Sequence, residues 1–323
     1  MKGADGIESG VARMKFGVGD EISNIGVEVG DGVSRGYKGV VKATVIERLE
    51  EAGAEFVGKM DGELEEGVDF ALRSEDVEWG VSLKPTYGAV SRYGVMARAS
   101  SMDAVRCVAR KAEVMEAVLV AMAGCDERDA MSEDGLLGMD SRSVTKVGVI
   151  EGLRSGGVEE FVKKLKTARY ETEGVKLEMI KYILAVHTIV GAGELASSMM
   201  RYDGVRYGYR DEKAQDLMGM YEGSRGEVMS AEEKARVILG VWVSSKENYE
   251  DYYLKAQKVR AVIKREVEKV FGEVDVLVGN RAIGEMAELL GLPMVIIGDV
   301  KLVGRRWEDL RVLDVAKKVE GAE

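Results

Sequence analysis

The sequence predicts an α/β protein built around a largely buried sheet. Three observations carry that prediction. Short apolar runs of strand length alternate with longer segments whose apolar residues recur every three or four positions. Hydrophobic residues make up 46% and charged residues 32% of the 323, enough to bury a sizeable core. No run approaches the ~18 consecutive apolar residues of a membrane helix. The opening MKGADGIESG has no apolar segment of the signal-peptide kind. With no internal repeat and no low-complexity linker, the chain reads as one domain over 1–323. A net charge of −11 argues against a broad cationic groove for nucleic acid. Cys107 and Cys125 are too few for a disulfide scaffold or a four-cysteine zinc site, and read as reduced thiols of a cytosolic protein.

The elements follow in order. Residues 43–51 (ATVIERLEE) read as an amphipathic helix, with Val45, Ile46 and Leu49 on one face and Gly53 as its stop. Phe56 and Val57 form a short buried strand. Residues 102–122 read as the longest early helix. Ser101 is its N-cap, Val105, Val108, Met115, Val118 and Leu119 its apolar stripe, and Gly124 its C-terminal stop. Lys146–Ile150 (KVGVI) reads as a strand, residues 158–167 as a helix and residues 174–179 as a second strand-like piece. Residues 249–271 are a strong helix, because Tyr252, Ala256, Val259, Ile263, Val267 and Val270 keep one face. Residues 274–278 (VDVLV) and Met294–Ile297 (MVII) are apolar strands, with a helix over 282–290 between them.

Composition adds a warning about absences. The chain has 40 Gly but only 2 Pro and 1 His. The scarce residue types share C- or A-initial codons and the abundant ones G-initial codons, so nucleotide bias and drift shape the sequence. A missing residue can then reflect erosion; a coding strand of balanced composition would count against this reading.

The densest cluster of unusual residues is 81–101, VSLKPTYGAVSRYGVMARASS. One of the two prolines, two Tyr-Gly pairs and several basic residues fix a turning backbone there. The stretch resembles the amidase-signature family, and within it the A subunits of the glutamyl-tRNA(Gln) amidotransferases. Further matching pieces come in order: 42–59 (KATVIERLEEAGAEFVGK), 196–210 (ASSMMRYDGVRYGYR), 252–259 (YYLKAQKV) and Gly291-Leu292-Pro293. The resemblance implies the amidase-signature fold, a mixed central sheet flanked by helices, with a trimmed active-site region.

It also implies a Ser–cis-Ser–Lys triad, in which a seryl nucleophile attacks a carboxamide and a neutral lysine is the base. In the matching stretch FGVGDEI, Asp20 matches the family's Asp and Gly19 stands where the lysine should be. Lys15 lies on the same strand face but about 13 Å away, a poor substitute. The two seryl loops, of the kind GGSSGGSA and SDTGGSIR, would have to fit within 60–80, which contains no Gly-Gly-Ser. No catalytic residue is therefore intact. Ser74, in FALRSED, echoes the lead-in to the second loop and is read as a solvent-facing serine. On the substrate side, Arg260 and Tyr207 match the residues that hold the glutamine α-carboxylate and amine. An exposed helix arginine and a core tyrosine are the alternatives. The family's T-P-T loop is missing, since Val278-Gly279-Asn280 runs straight into the next helix.

By resemblance, the function is that of the A subunit in a complex converting Glu-tRNA(Gln) to Gln-tRNA(Gln). In that family the A subunit hydrolyses glutamine, and the ammonia passes to the B subunit. ATP and Mg are ligands of the latter, and this chain takes no cofactor of its own. The implied partners are the B and C subunits of the amidotransferase, Glu-tRNA through the complex, and glutamine if the pocket survives; no membrane is involved and the location is cytoplasmic. Three roles stay open: an A-type chain impaired in catalysis but still assembling with its B-type partner, an active amidase with an unrecognised nucleophile, and a non-enzymatic scaffold or decaying product. No P-loop or dinucleotide fingerprint appears. His187, in the apolar YILAVHTIV, reads as a satisfied structural histidine, and no metal spacing is visible. Glu63, Glu65, Glu66 and Asp69 read as a solvated acidic surface.

Overall fold

The computed structural model describes residues 10–29, 32–60, 62–74, 79–138, 143–152 and 155–321. These residues form one ten-stranded sheet. In chain order the strands are β1 (Lys15–Val18), β2 (Glu55–Lys59), β3 (Phe70–Arg73), β4 (Val81–Lys84), β5 (Arg106–Ala109), β6 (Lys146–Ile150), β7 (Glu171–Val175), β8 (Val276–Gly279), β9 (Met294–Ile297) and β10 (Val300–Gly304). Across the sheet they run β2-β1-β3-β5-β4-β9-β10-β8-β6-β7. The flanks, β2-β1-β3 and β8-β6-β7, are parallel. The ladders between them are antiparallel. The expected mixed sheet is therefore present.

Helices close both faces. One core takes residues from α1 (Thr44–Glu51), α2 (Met115–Met122), α3 (Gly156–Thr167) and α9 (Asp309–Glu320). The other takes residues from α4 (Ile180–Met199), α7 (Lys255–Val270) and α8 (Arg281–Leu290). Of the two remaining helices, α5 (Leu217–Val228) and α6 (Ala231–Val243), α6 packs on α4. The strands divide their side chains between the two cores with period two. Val276 and Val278 face the first core and Leu277 the second; Val295 faces the first and Met294 and Ile296 the second. A sheet covered on both faces buries both sets, which is why these strands read as unbroken apolar runs. Among the described residues no helix is long and apolar enough to cross a membrane.

The helix expected over 102–122 is a correction. Only Met115–Met122 is α-helical; Arg106–Ala109 is a buried strand between β3 and β4. Val105 and Val108 fit a helical stripe, but a strand buried on both sides also lacks alternation, and spacing alone does not separate the two. Ser101 is then no N-cap. The strand-like piece at 174–179 is centred earlier, on Glu171–Val175, an edge strand mostly exposed and so poor in apolar signal. The helix at 249–271 opens with a π-helical turn, Tyr249–Leu254, before α7. Phe56 and Val57 do form a strand, β2, but it is an edge strand and not a buried one: Phe56 is half-buried and Val57 is 42% exposed. The other expected elements are present, with ends shifted by one or two residues.

The signature stretch earns its Tyr-Gly pairs through backbone geometry. Gly88 and Gly94 have φ of +91° and +83°. A Cβ on Gly94 would sit 2.5 Å from the Ala43 Cα, and one on Gly88 2.5 Å from the Met131 carbonyl oxygen. Only glycine meets both conditions.

Candidate functional site

Parallel β2, β1 and β3 bring their carboxyl ends to one edge, the usual place for a ligand in an α/β sheet. Gly19 follows β1, and its N–H donates to the Leu72 carbonyl at 2.9 Å. A Cβ there would meet the Glu21 carboxylate at 3.0 Å and the Arg73 Cδ at 3.2 Å. Both are mobile side-chain atoms, so the backbone has not closed over this position. Lys15 is exposed at the opposite end of β1. The lysine that does reach the edge is Lys59, at the end of β2. Its Nζ donates to the carbonyls of Gly19 (3.0 Å), Asp20 (3.0 Å) and Ile22 (2.7 Å). An ammonium has three N–H donors, and here all are engaged. No lone pair is available, so Lys59 clamps the loop and is not a base.

Over these ends lies a cavity of about 840 Å³, lined by Asp20, Glu21 and Lys59, by Tyr37, Tyr93, Tyr202 and Tyr207, and by Arg201. Tyr207 is 59% exposed on its wall, so it is not a core tyrosine. Arg260 is elsewhere. It lines a 180 Å³ pocket with Tyr87, Ser101 and Arg306. Its guanidinium donates to the Ser101 hydroxyl at 3.0 Å, and that hydroxyl donates to Glu194 at 2.7 Å. Burial lowers the Arg260 pKa, and the Glu194 charge opposes that shift. Arg260 is thus half-buried rather than an exposed helix arginine. The two residues expected to hold one substrate line separate cavities.

Much of the signature stretch serves the scaffold. Thr86 donates from its N–H (2.7 Å) and its hydroxyl (2.6 Å) to the fully buried Asp309, tying the exit of β4 to the start of α9. Arg92 grips Asp129 with two parallel bonds, 3.1 and 3.0 Å. Ser91 donates to Asp126 at 2.6 Å.

Residues 81–283 match the family model described as Amidase, more than half of the chain. This chain belongs to the amidase family. The A subunit of the glutamyl-tRNA(Gln) amidotransferase of Carboxydothermus hydrogenoformans is 33% identical over 330 residues, covering 83% of this chain and 68% of that protein. The protein of the same name from Acaryochloris marina is 39% identical over 212 residues, 61% of this chain and 44% of its own length. The chain thus spans only part of the relatives it matches. The crystal structure of the glutamyl-tRNA(Gln) amidotransferase A subunit from Thermotoga maritima superposes with a TM-score of 0.66 at 23% identity, over 95% of this chain and 82% of that one. An amidase family protein from Bacillus anthracis gives 0.71 at 15% identity, over 97% and 78%. At those identities the structures bear on the fold alone.

One further cleft of this chain, about 370 Å³, holds the remaining catalytic candidate. Ser74, at the end of β3, lines it together with Arg106, His187, Glu285 and Glu288. The Ser74 hydroxyl is closed off from solvent and has no hydrogen-bond partner among the described residues, which corrects its reading as solvent-facing. The residues after it, 75–78, lie outside the described residues, as do parts of the interval expected to hold the seryl loops. His187 is bonded at both nitrogens, Nδ1 to Glu285 at 2.5 Å and Nε2 to Glu288 at 2.8 Å. Burial alone would lower its pKa. The two carboxylate hydrogen bonds outweigh that and raise it to about 9. Burial would likewise raise Glu288, but His187 and Arg106, the latter at 2.5 Å, bring it down to about 2. His187 is thus an imidazolium with both N–H groups donating, and offers no base for Ser74.

These three groups are also the cluster, among the described residues, whose ligand atoms lie close enough together to hold a metal ion. As found, the imidazolium, Arg106 and Arg281 already balance both carboxylates. The sequence reading missed this trio because its carboxylates come from a helix far along the chain. The Glu285–Glu288 spacing on one helix face is the signal that was available. Lys59 was legible inside the matching 42–59 segment, but its role depends on the parallel register of β1 and β2.

Proposed function

We propose that this chain is the A-type component of a tRNA-dependent amidotransferase that has lost glutamine hydrolysis and serves as the partner of a B-type component. The single observation that carries the reading is the strand-end lysine chemistry. Gly19 offers no side chain, and the ammonium of Lys59 spends all its donors on backbone carbonyls. The separation of Tyr207 from Arg260 adds support, since one glutamine cannot span two pockets with no shared wall. In this reading the B-type component binds ATP, Mg and Glu-tRNA, a C-type component completes the cytoplasmic complex, and ammonium supplies nitrogen to Glu-tRNA(Gln).

The test is the purified complex assayed with Glu-tRNA and ATP, given either glutamine or ammonium. Amidation is expected with ammonium only, with no glutamate release above background. Gly19→Lys alone is expected not to restore release, because a base without an activated serine has nothing to deprotonate. The second reading, an active amidase, rests on the Ser74 hydroxyl, closed off from solvent and without a hydrogen-bond partner among the described residues. Glutamine-dependent turnover abolished by Ser74→Ala would establish it and overturn the first.

A further inference from the structure

The cavity of about 840 Å³ over the carboxyl ends of β2, β1 and β3 leaves room for a body much larger than glutamine. Its walls are mostly apolar. Val29, Val41 and Met96 line it together with the rings of Tyr37, Tyr93, Tyr202 and Tyr207. A pocket of this size and lining suits an apolar body held in place by a few polar groups. Phenol rings give such a body contact area, and they give a cation the negative face of an aromatic quadrupole. Burial raises the Tyr202 pKa against the opposing charge of Arg201, so that phenol stays neutral.

Charged side chains in the lining are Asp20, Glu21, Lys59 and Arg201. Asp20 and Lys59 are opposite in sign, and the Lys59 ammonium is already engaged by three backbone carbonyls. That leaves Glu21 and Arg201 to decide which ligand charge is favoured. Arg201 is exposed, where water and salt screen its charge. Glu21 is half-buried, and its carboxylate has no ion-pair or hydrogen-bond partner among the described residues. One of its oxygens lies 3.0 Å from the place of a Cβ on Gly19. Where the matching stretch predicts a lysine side chain, this chain therefore has no side chain and an unpaired carboxylate alongside. The end of β1 lacks a cation and presents an acceptor. An ammonium, with three donors and a positive charge, is the complement of such a group.

We propose that this cavity binds an organic cation, a primary ammonium paired with Glu21 on an aromatic body seated among the four tyrosines. The proposal goes beyond the catalytic reading and does not depend on it: the ligands that test it have no carboxamide, and the readout is binding, not hydrolysis. The test is isothermal titration calorimetry of the full chain with the diphenylpropylammonium ion and two matched ligands, the neutral diphenylpropanol and the anionic diphenylpropanoate. The ammonium ion is expected to bind, and the alcohol and the carboxylate to bind about tenfold or more weakly by comparison. Glu21→Gln should weaken the ammonium ion about tenfold and leave the alcohol unchanged. Tyr207→Ser, at a position 59% exposed, should weaken the ammonium ion and the alcohol alike. Far-UV circular dichroism checks that both variants fold. No binding of the ammonium ion overturns the proposal. So does an alcohol that binds as tightly, which would leave the carboxylate of Glu21 without a role, or a diphenylpropanoate that binds as tightly, which would assign the charge recognition to Arg201. A Glu21→Gln variant that holds the ammonium ion as wild type does, or a Tyr207→Ser variant that changes neither ligand, overturns it equally.

Discussion

The His187 clamp sets a pH dependence that can be calculated in advance. The imidazole titrates ordinarily at 6.5 and at about 9 in the folded chain. At ~1.36 kcal/mol per pH unit, the protonated ring contributes roughly 3 kcal/mol to stability. The side chain is only 22% exposed, so solvent screening takes little from that figure. The folded pKa is raised, so this contribution is complete below 6.5 and disappears as the pH rises through about 9. Glu285 and Glu288 are lowered by the same contacts. Their share is lost only in acid, with Glu288 titrating toward about 2, and is constant across this window. Urea unfolding at mildly acidic pH and again above the folded pKa should therefore show a loss of roughly 3 kcal/mol in wild type beyond that in His187→Gln. The variant keeps Arg106 on Glu288 and Arg281 on Glu285, so the cluster stays paired. Equal losses in the two proteins would refute the imidazolium assignment, and with it the argument that His187 cannot serve as a base.

Other substitutions probe the scaffold. Lys59→Met removes three hydrogen bonds from a charged donor and should cost about 2–4 kcal/mol, seen as a lower thermal midpoint. Thr86→Val takes one of two donors from the buried Asp309 and should cost about 2 kcal/mol in urea unfolding. Gly94→Ala meets both a left-handed φ and a 2.5 Å contact, and should leave little soluble protein. By contrast Gly226→Ala, within α5 and with open space around it, should raise stability by up to about 1 kcal/mol.

The α/β class and most strands near the C-terminus were legible because both-face burial leaves unbroken apolar runs. β5 was not, because Val105 and Val108 suit a helix stripe equally well until β3 and β4 are known to flank them. β7 was displaced because an edge strand needs few apolar residues. At the candidate site, the empty position at Gly19 could be read directly from FGVGDEI. That Tyr207 and Arg260 line separate cavities could not, since the distance between a loop and a helix is a property of packing. The engagement of Lys59 with three carbonyls likewise requires the β1–β2 register, which no local pattern encodes.

The order of the sheet has a consequence for how the chain is made. The two halves join where β4 pairs with β9, Val81 against Ile297 and Lys84 against Met294. During synthesis β1 to β5 can assemble long before β9 leaves the ribosome. Until then β4 is an unprotected edge of fully buried character, the kind of strand that recruits other chains. The nascent protein therefore spends most of its translation with its future centre as an open border. Its yield in a cell should depend more on chaperone supply and elongation rate than on the stability of the finished fold.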